Sequence, residues 1–227
     1  MDKINEIMGR SVIIVGATGL IGSAVLTKFI QSKDIEIIRI FVRKLIPGLP
    51  EKVIQIVTDY SDISLLKDKV IGDAIYCCVG TTRKKTPDQQ DYRNIDFGIN
   101  IGMAKLAKEN GISTAHLISA MGASTSARIF YTKLKGEIEE AFKELNFERC
   151  YIYQPSILIG ARTESRPMEY LSQKLCPFFD LFMIGSLKDY HSISGETIAE
   201  YILQIAGKET PGIQVKRYTQ ITVKNVL

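Results

Sequence analysis

The chain of 227 residues has no tryptophan, only 4 cysteines and only 2 histidines. Cys77, Cys78, Cys150 and Cys176 form no CxxC pair and have no histidine at metal-ligand spacing, so no metal site is expected. Cys77 and Cys78 are neighbours in an apolar run, where consecutive strand side chains point to opposite faces. All four read as reduced core residues of a cytoplasmic protein. An excess of one charge is lacking too. The 29 basic residues stand against 25 acidic ones, a net +4 that leaves no footprint for nucleic acid. No apolar run approaches the ~18–20 residues that span a bilayer, so no membrane partner is expected. The opening MDKINEIMGR carries acids and no apolar core, which argues against secretion. What is present is ordinary globular composition, 45% hydrophobic and 24% charged. A chain of this size buries roughly 70–75% of its unfolded surface and needs no disulfide or metal staple.

Short β-branched runs alternate with helical patterns. Strands are expected at Ser11–Val15, Ile35–Val42, Val53–Val57, Asp73–Val79, Ala115–Ser119 and Cys150–Gln154. Helices are expected at Leu20–Gln31, Ile63–Lys67, Gln89–Asn110 and Ile129–Leu145. The strands lack strict alternation, as they should where helices cover both faces of a parallel sheet. The order predicts a doubly wound parallel α/β fold in one domain spanning 1–227. After Pro155 the pattern loosens. Met168–Ile184 reads as helical, Ile198–Ile205 as a helix and Ile213–Thr222 as a last strand. That length suits a small cap over the sheet's C-terminal edge, within about 156–227, and not a second core.

Gly16, Gly19 and Gly22 follow the first strand and open the first helix. The first glycine permits a tight turn, the second a close approach of a pyrophosphate, the third close helix–strand packing. Backbone N–H groups around Ala17, Thr18, Leu20 and Ile21 would then face phosphates at a helix N-terminus. At this junction the motif points to a dinucleotide. An NAD-selecting acid is expected about 20 residues past the glycines. Here Ile40-Phe41-Val42-Arg43-Lys44 has none, and Arg43 with Lys44 suits a 2′-phosphate, so NADP(H) is expected over NAD(H). Asp59, next to Tyr60, is placed to accept from the adenine amino group. Gly80, flanked by Val79, Thr81 and Thr82, would let the chain pass close to the cofactor.

Tyr131-Thr-Lys-Leu-Lys135 is a Tyr-x-x-x-Lys on a helix after the strand ending at Ser119. With the glycine turn it resembles the short-chain dehydrogenase/reductase superfamily, in its extended or atypical branch, and so implies a Rossmann-type sheet. Cys77–Arg83, Tyr131–Glu137 and Glu164–Pro167 are similar to the Tat-interacting oxidoreductase-like proteins, within a likeness covering about residues 11–175. Residues four apart on a helix share a face, so Tyr131 and Lys135 can address one site. A free tyrosine titrates near ~10, and a neighbouring ammonium favours its phenolate. The resemblance implies that Lys135 holds the nicotinamide ribose. It also implies that Tyr131 protonates a carbonyl oxygen as hydride arrives, with Ser119 bonded to the same oxygen. Pro155, Ile157 and Leu158 would sit beside the nicotinamide, and Arg166 could reach it from the cap. Two departures stand out: Ala120 follows Ser119 where relatives often have a second serine, and Val42 precedes Arg43 where relatives often have another arginine.

A second Tyr-x-x-x-Lys, Tyr170 to Lys174, lies beyond the nucleotide-binding half and reads as structural. His116 reads as a packed core histidine, His191 as a cap residue that could touch substrate, and Arg83-Lys84-Lys85 as a solvated loop. The expected function is an NADP(H)-dependent oxidoreductase of an unidentified small carbonyl or alcohol. A non-catalytic NADP(H)-sensing protein with a protein partner is the alternative. A nucleotide-sugar epimerase or dehydratase is a distant third. A homo-oligomer is compatible with either main reading.

Overall fold

The computed structural model describes residues 9–156, 158, 159, 189 and 191–222. Its strands are β1 (Arg10–Val15), β2 (Ile35–Val42), β3 (Val53–Val57), β4 (Ala74–Cys77), β5 (Thr114–Ile118), β6 (Arg149–Tyr153), β7 (Leu158–Ile159), β8 (Ile193–Ser194) and β9 (Gly212–Lys216). The helices are α1 (Leu20–Gln31), α2 (Gln89–Arg93), α3 (Asn100–Glu109), α4 (Phe130–Glu144), α5 (Gly195–Ile205) and α6 (Tyr218–Thr222). A 3₁₀ segment covers Ile63–Lys69, and a π-helical segment, Asn94–Ile99, joins α2 to α3.

Seven strands form one sheet in the order β3-β2-β1-β4-β5-β6-β9, and every pairing is parallel. From β1 the chain runs outward to β3, then crosses back to β4 and runs outward the other way. The crevice at the C-terminal ends of β1 and β4 is therefore the switch point where α/β sheets bind ligands. This is the expected Rossmann-type architecture.

Sequence pattern explains the layering. Val12 and Ile14 pack on one face with Val25 and Phe29 of α1 and Ile198 and Ile202 of α5. Ile13 and Val15 pack on the other with Met103 of α3 and Leu134, Ile138 and Phe142 of α4. Each fully buried aliphatic side chain contributes about 1.5–3 kcal/mol. The neighbours Cys77 and Cys78 divide in the same way between the two faces. Only the edges break the rule, with Ile54 and Val57 of β3 and Ile213 of β9 exposed. The end of α1 is closed by Lys52, whose ammonium donates to the carbonyls of Phe29, Ser32 and Ile35 at 3.0, 2.7 and 3.0 Å.

Three boundaries correct the sequence reading. β4 is shorter than Asp73–Val79, because the Asp73 carboxylate accepts from the Ser11 N–H and Val79 bonds to a side chain, Asn100. Gln89–Asn110 is not a uniform α-helix but carries the π segment. Ile213–Thr222 is not all strand. Pairing with β6 ends at Lys216, after which the Gln220 side chain accepts from the Arg217 N–H and starts α6. The expected helix Met168–Ile184 lies outside the described residues, and among these no helix is long and apolar enough to cross a membrane.

Candidate active site

At the end of β1, Gly16 adopts φ +88°, and a Cβ there would stand 2.7 Å from the backbone of Cys78. A side chain at Gly22 would lie 2.1 Å from the Gly16 carbonyl oxygen, so helix and turn meet only because both residues are glycine. Gly19 is the N-cap of α1 and supplies no side-chain bond, and the first turn holds no acid. The helix thus keeps free N–H groups and its partial positive charge at the mouth of the crevice.

The loop after β4 forms the opposite wall. Its backbone is held by two side chains that the π segment places on one inward face, Asp96 and Asn100, both fully buried. Asn100 donates to the Val79 carbonyl at 2.9 Å and accepts from the Val79 N–H at 3.3 Å. Asp96 Oδ1 accepts from the Thr81 N–H at 2.7 Å. Its other oxygen lies 2.8 Å from Lys135 Nζ, in a buried ion pair at the cleft wall. Enclosure of the Cys78 sulfur pushes its thiol up to about 12, so it faces the crevice neutral and is no nucleophile at ordinary pH.

The third wall is α4, where Tyr131 and Lys135 share a face as the spacing predicts. Lys135 Nζ sits 5.9 Å from the centre of the Tyr131 ring, which is 41% exposed. Gly136 fixes how deeply the helix seats, since a Cβ there would fall 2.3 Å from the Ser124 backbone. One turn beyond Lys135, buried Glu139 accepts the hydroxyl hydrogen of Ser119 and, at 3.0 Å, the amide of Gln154.

These walls enclose a cleft of about 460 Å³. Of the expected site residues, the cleft brings together Thr18, Gly19, Leu20 and Ile21 of the turn with Val79, Gly80, Thr81 and Thr82 of the β4 loop. Ser119, Tyr131, Lys135 and Leu158 complete it. Gly16, Ala17 and Gly22 shape the turn without lining the cleft. Pro155 is buried, and its carbonyl accepts from the Met121 N–H at 2.8 Å. Arg43, Lys44 and Asp59 stand exposed outside the lining. The Asp59 carboxyl is held below its usual range chiefly by the Ser61 N–H. Tyr60, at φ +64°, spends its hydroxyl on the Phe41 carbonyl, and burial raises its pKa. Ile157, Arg166, Tyr170 and Lys174 lie outside the described residues.

Among the residues the sequence reading set aside, Lys85 lines the cleft and Arg83 lies over the Phe130 ring at 5.6 Å. His191 packs on Tyr218 at 5.0 Å, away from the cleft lining. His116 is the expected core residue, with Nδ1 2.9 Å from the Tyr153 hydroxyl. Sequence reasoning missed Asp96, Asn100 and Glu139. For Glu139 a signal existed, since it continues the four-residue spacing of Tyr131 and Lys135. Among the described residues no group of three His, Cys, Asp or Glu stands together to hold a metal.

No family model matches the chain. It is 37% identical to "Protein FMP52, mitochondrial" of Eremothecium gossypii, over 66% of this chain and 67% of that one. It is 31% identical to "Protein HTATIP2" of Rattus norvegicus, over 81% of this chain and 74% of that one. Among solved structures, WbmH of Bordetella bronchiseptica in complex with NAD+ superposes with a TM-score of 0.67 at 13% identity, covering 92% of this chain and 75% of that one. An oxidoreductase of the short chain dehydrogenase/reductase family from Burkholderia thailandensis gives 0.64 at 16% identity, covering 94% and 93%. The expectation of a cytoplasmic protein is corrected by these relatives, because those of Candida albicans and Aspergillus terreus are also named as mitochondrial proteins. Reduced cysteines fit either compartment reading and could not separate them. With this shared sequence on a short-chain dehydrogenase/reductase-like fold, the chain belongs to the family of the FMP52 and HTATIP2 proteins.

Proposed function

We propose that the protein is an NADP(H)-dependent oxidoreductase acting on a small carbonyl or alcohol, with Tyr131 as its general acid and base. The observation that carries this reading is the single cleft lined by the glycine turn, Tyr131, Lys135 and Ser119. A dinucleotide fits what the residues offer. The uncapped N-terminus of α1 suits a pyrophosphate, and a side chain at Gly19, already 3.3 Å from the Gly16 carbonyl, would intrude on the same space. Solved structures of this fold that hold NAD+ or NAD support the same assignment. Arg43 and Lys44, exposed at the end of β2 with no acid beside them, favour a 2′-phosphate.

The bound nicotinamide supplies hydride chemistry. Tyr131 gives its phenolic proton to the carbonyl oxygen as the carbon is reduced, and its O–H bond is remade from solvent afterwards. Lys135 stands beside the ring, its Nζ 5.9 Å from the ring centre, and Asp96 keeps it in place at 2.8 Å. The mitochondrial names of relatives make a mitochondrial setting part of the proposal.

NADPH oxidation on a panel of aldehydes, ketones and quinones tests the chemistry. Tyr131→Phe should lower turnover by ~10²–10⁴ and leave NADPH affinity within a few-fold. Turnover undiminished in that variant would remove Tyr131 from the mechanism. Fluorescence titration tests the cofactor. NADPH should bind about tenfold more tightly than NADH, and Arg43→Ala should erase the difference.

A further inference from the structure

Glu139 is held by two buried side chains, Gln154 and Ser119. Gln154 donates from Nε2 to both carboxylate oxygens at 3.0 Å. The orientation of that amide is fixed from outside, because Gln154 Oε1 receives Arg217 Nε at 3.0 Å and a guanidinium can only donate. The remaining partner is the Ser119 hydroxyl. Both Glu139 and Ser119 are buried, at 4% exposure each. A carboxyl proton on Glu139 could go only to the Ser119 oxygen, whereas the ionised carboxylate, an acceptor only, takes the hydrogens of both partners.

A serine hydroxyl has one hydrogen and two lone pairs. If its hydrogen belongs to Glu139, Ser119 turns only lone pairs toward the cleft it lines. We propose that Glu139 is a positioning residue of this site: it claims the Ser119 hydrogen and makes Ser119 an acceptor toward whatever occupies the cleft. The inference rests on the oxidoreductase reading and sharpens it. A carbonyl oxygen has no hydrogen to offer Ser119. The alcohol, once it carries the proton from Tyr131, has one. Ser119 then favours the hydroxyl state of the substrate, where the resemblance alone implied a bond to the carbonyl oxygen.

Difference infrared spectroscopy at neutral pH reads the pair directly. Wild type minus Glu139→Gln should show a carboxylate band and no carboxylic-acid band. Wild type minus Ser119→Ala should show that same carboxylate band shifted, because the ion loses a charge-assisted donor. This second variant decides the matter if Glu139→Gln does not fold. A carboxylic-acid band assigned to Glu139, or a carboxylate band unmoved by Ser119→Ala, overturns the proposal. An NADPH titration of wild type keeps the two readings apart. Failure to bind sinks the oxidoreductase reading and the alcohol preference with it. Intact binding with a carboxylic-acid band sinks the role of Glu139 alone.

Discussion

The sheet carries buried charge at both ends, used in opposite ways. At the C-terminal ends of the strands, Asp96, Lys135 and Ser119 line a cleft, with Glu139 bonded to Ser119 behind the lining. Toward the N-terminal ends, His116 is stacked on Tyr76 at 4.2 Å and Tyr151 at 5.2 Å, with Nε2 3.5 Å from Glu209 Oε1. Glu209 is held further by Arg10 at 3.3 Å and by the Gly207 N–H at 2.8 Å. That second cluster is closed by rings on the core side. It abuts only a polar hollow lined by the strand starts, where Arg10 and Arg149 already pair with Glu209 and Glu148. The lesson is that burial of a charge does not mark function. What differs is the lining: a glycine turn, Tyr131 and Ser119 around one cavity, and mutually paired charges around the other.

Lys135→Met should strain this contrast most. It strands a fully buried Asp96 carboxylate, and breaking a buried pair from one side costs about 3–5 kcal/mol. Urea unfolding should show that loss together with weakened NADPH binding. The double variant Asp96→Leu/Lys135→Met should recover much of the stability and none of the binding. Recovery of both would mean the pair is packing, like the cluster at the other end.

Glu209→Gln should give the mirror result. Removing one acceptor from this buried cluster costs on the order of 1–3 kcal/mol, yet NADPH affinity should stay within about twofold. Weakened NADPH binding would show that the two ends are coupled and that the contrast is false.

The smallest effect is in pH dependence. Burial, outweighing the pull of the Glu209 carboxylate, lowers the His116 pKa below its unfolded value of ~6.5. The unfolded chain then binds the proton first, so stability is full above that value and declines as pH falls below it. Burial raises the Glu209 carboxyl, but His116, its own backbone and Arg10 together hold it below the ordinary value. Its contribution is present above ~4.3 and is lost as pH falls through the lower folded value. His116→Gln should flatten the slope just below pH ~6.5 and also weaken the acid limb, because His116 leads the groups that hold Glu209 down, as read by urea midpoints across pH.

How much of this could be read from residues alone follows the same division between local and distant causes. The glycine turn and the Tyr131–Lys135 face were legible because each is a short-range pattern with one backbone solution. β1, β2 and β3 were legible for the same reason, as compact β-branched runs between turn residues. Asp96 was hidden because its partner lies on another helix and because a π turn breaks the period by which inward positions are counted. α6 was hidden behind an apolar strand-like run, since its start depends on Gln220 and on Asp189, which accepts from the Thr219 N–H at 3.1 Å.

The π segment also changes what kind of mutation can silence the site. One residue advances an α-helix by about 100°, and a π turn stores one residue more than the regular helix needs. Deleting a single residue from Asn94–Ile99 would let α2 and α3 fuse into an uninterrupted α-helix, more regular than the native one. The same deletion would swing the Asp96 and Asn100 positions relative to each other and release the β4 loop. Loss of function by that route needs no damaged core and no lost catalytic group, only a shorter chain that folds too well.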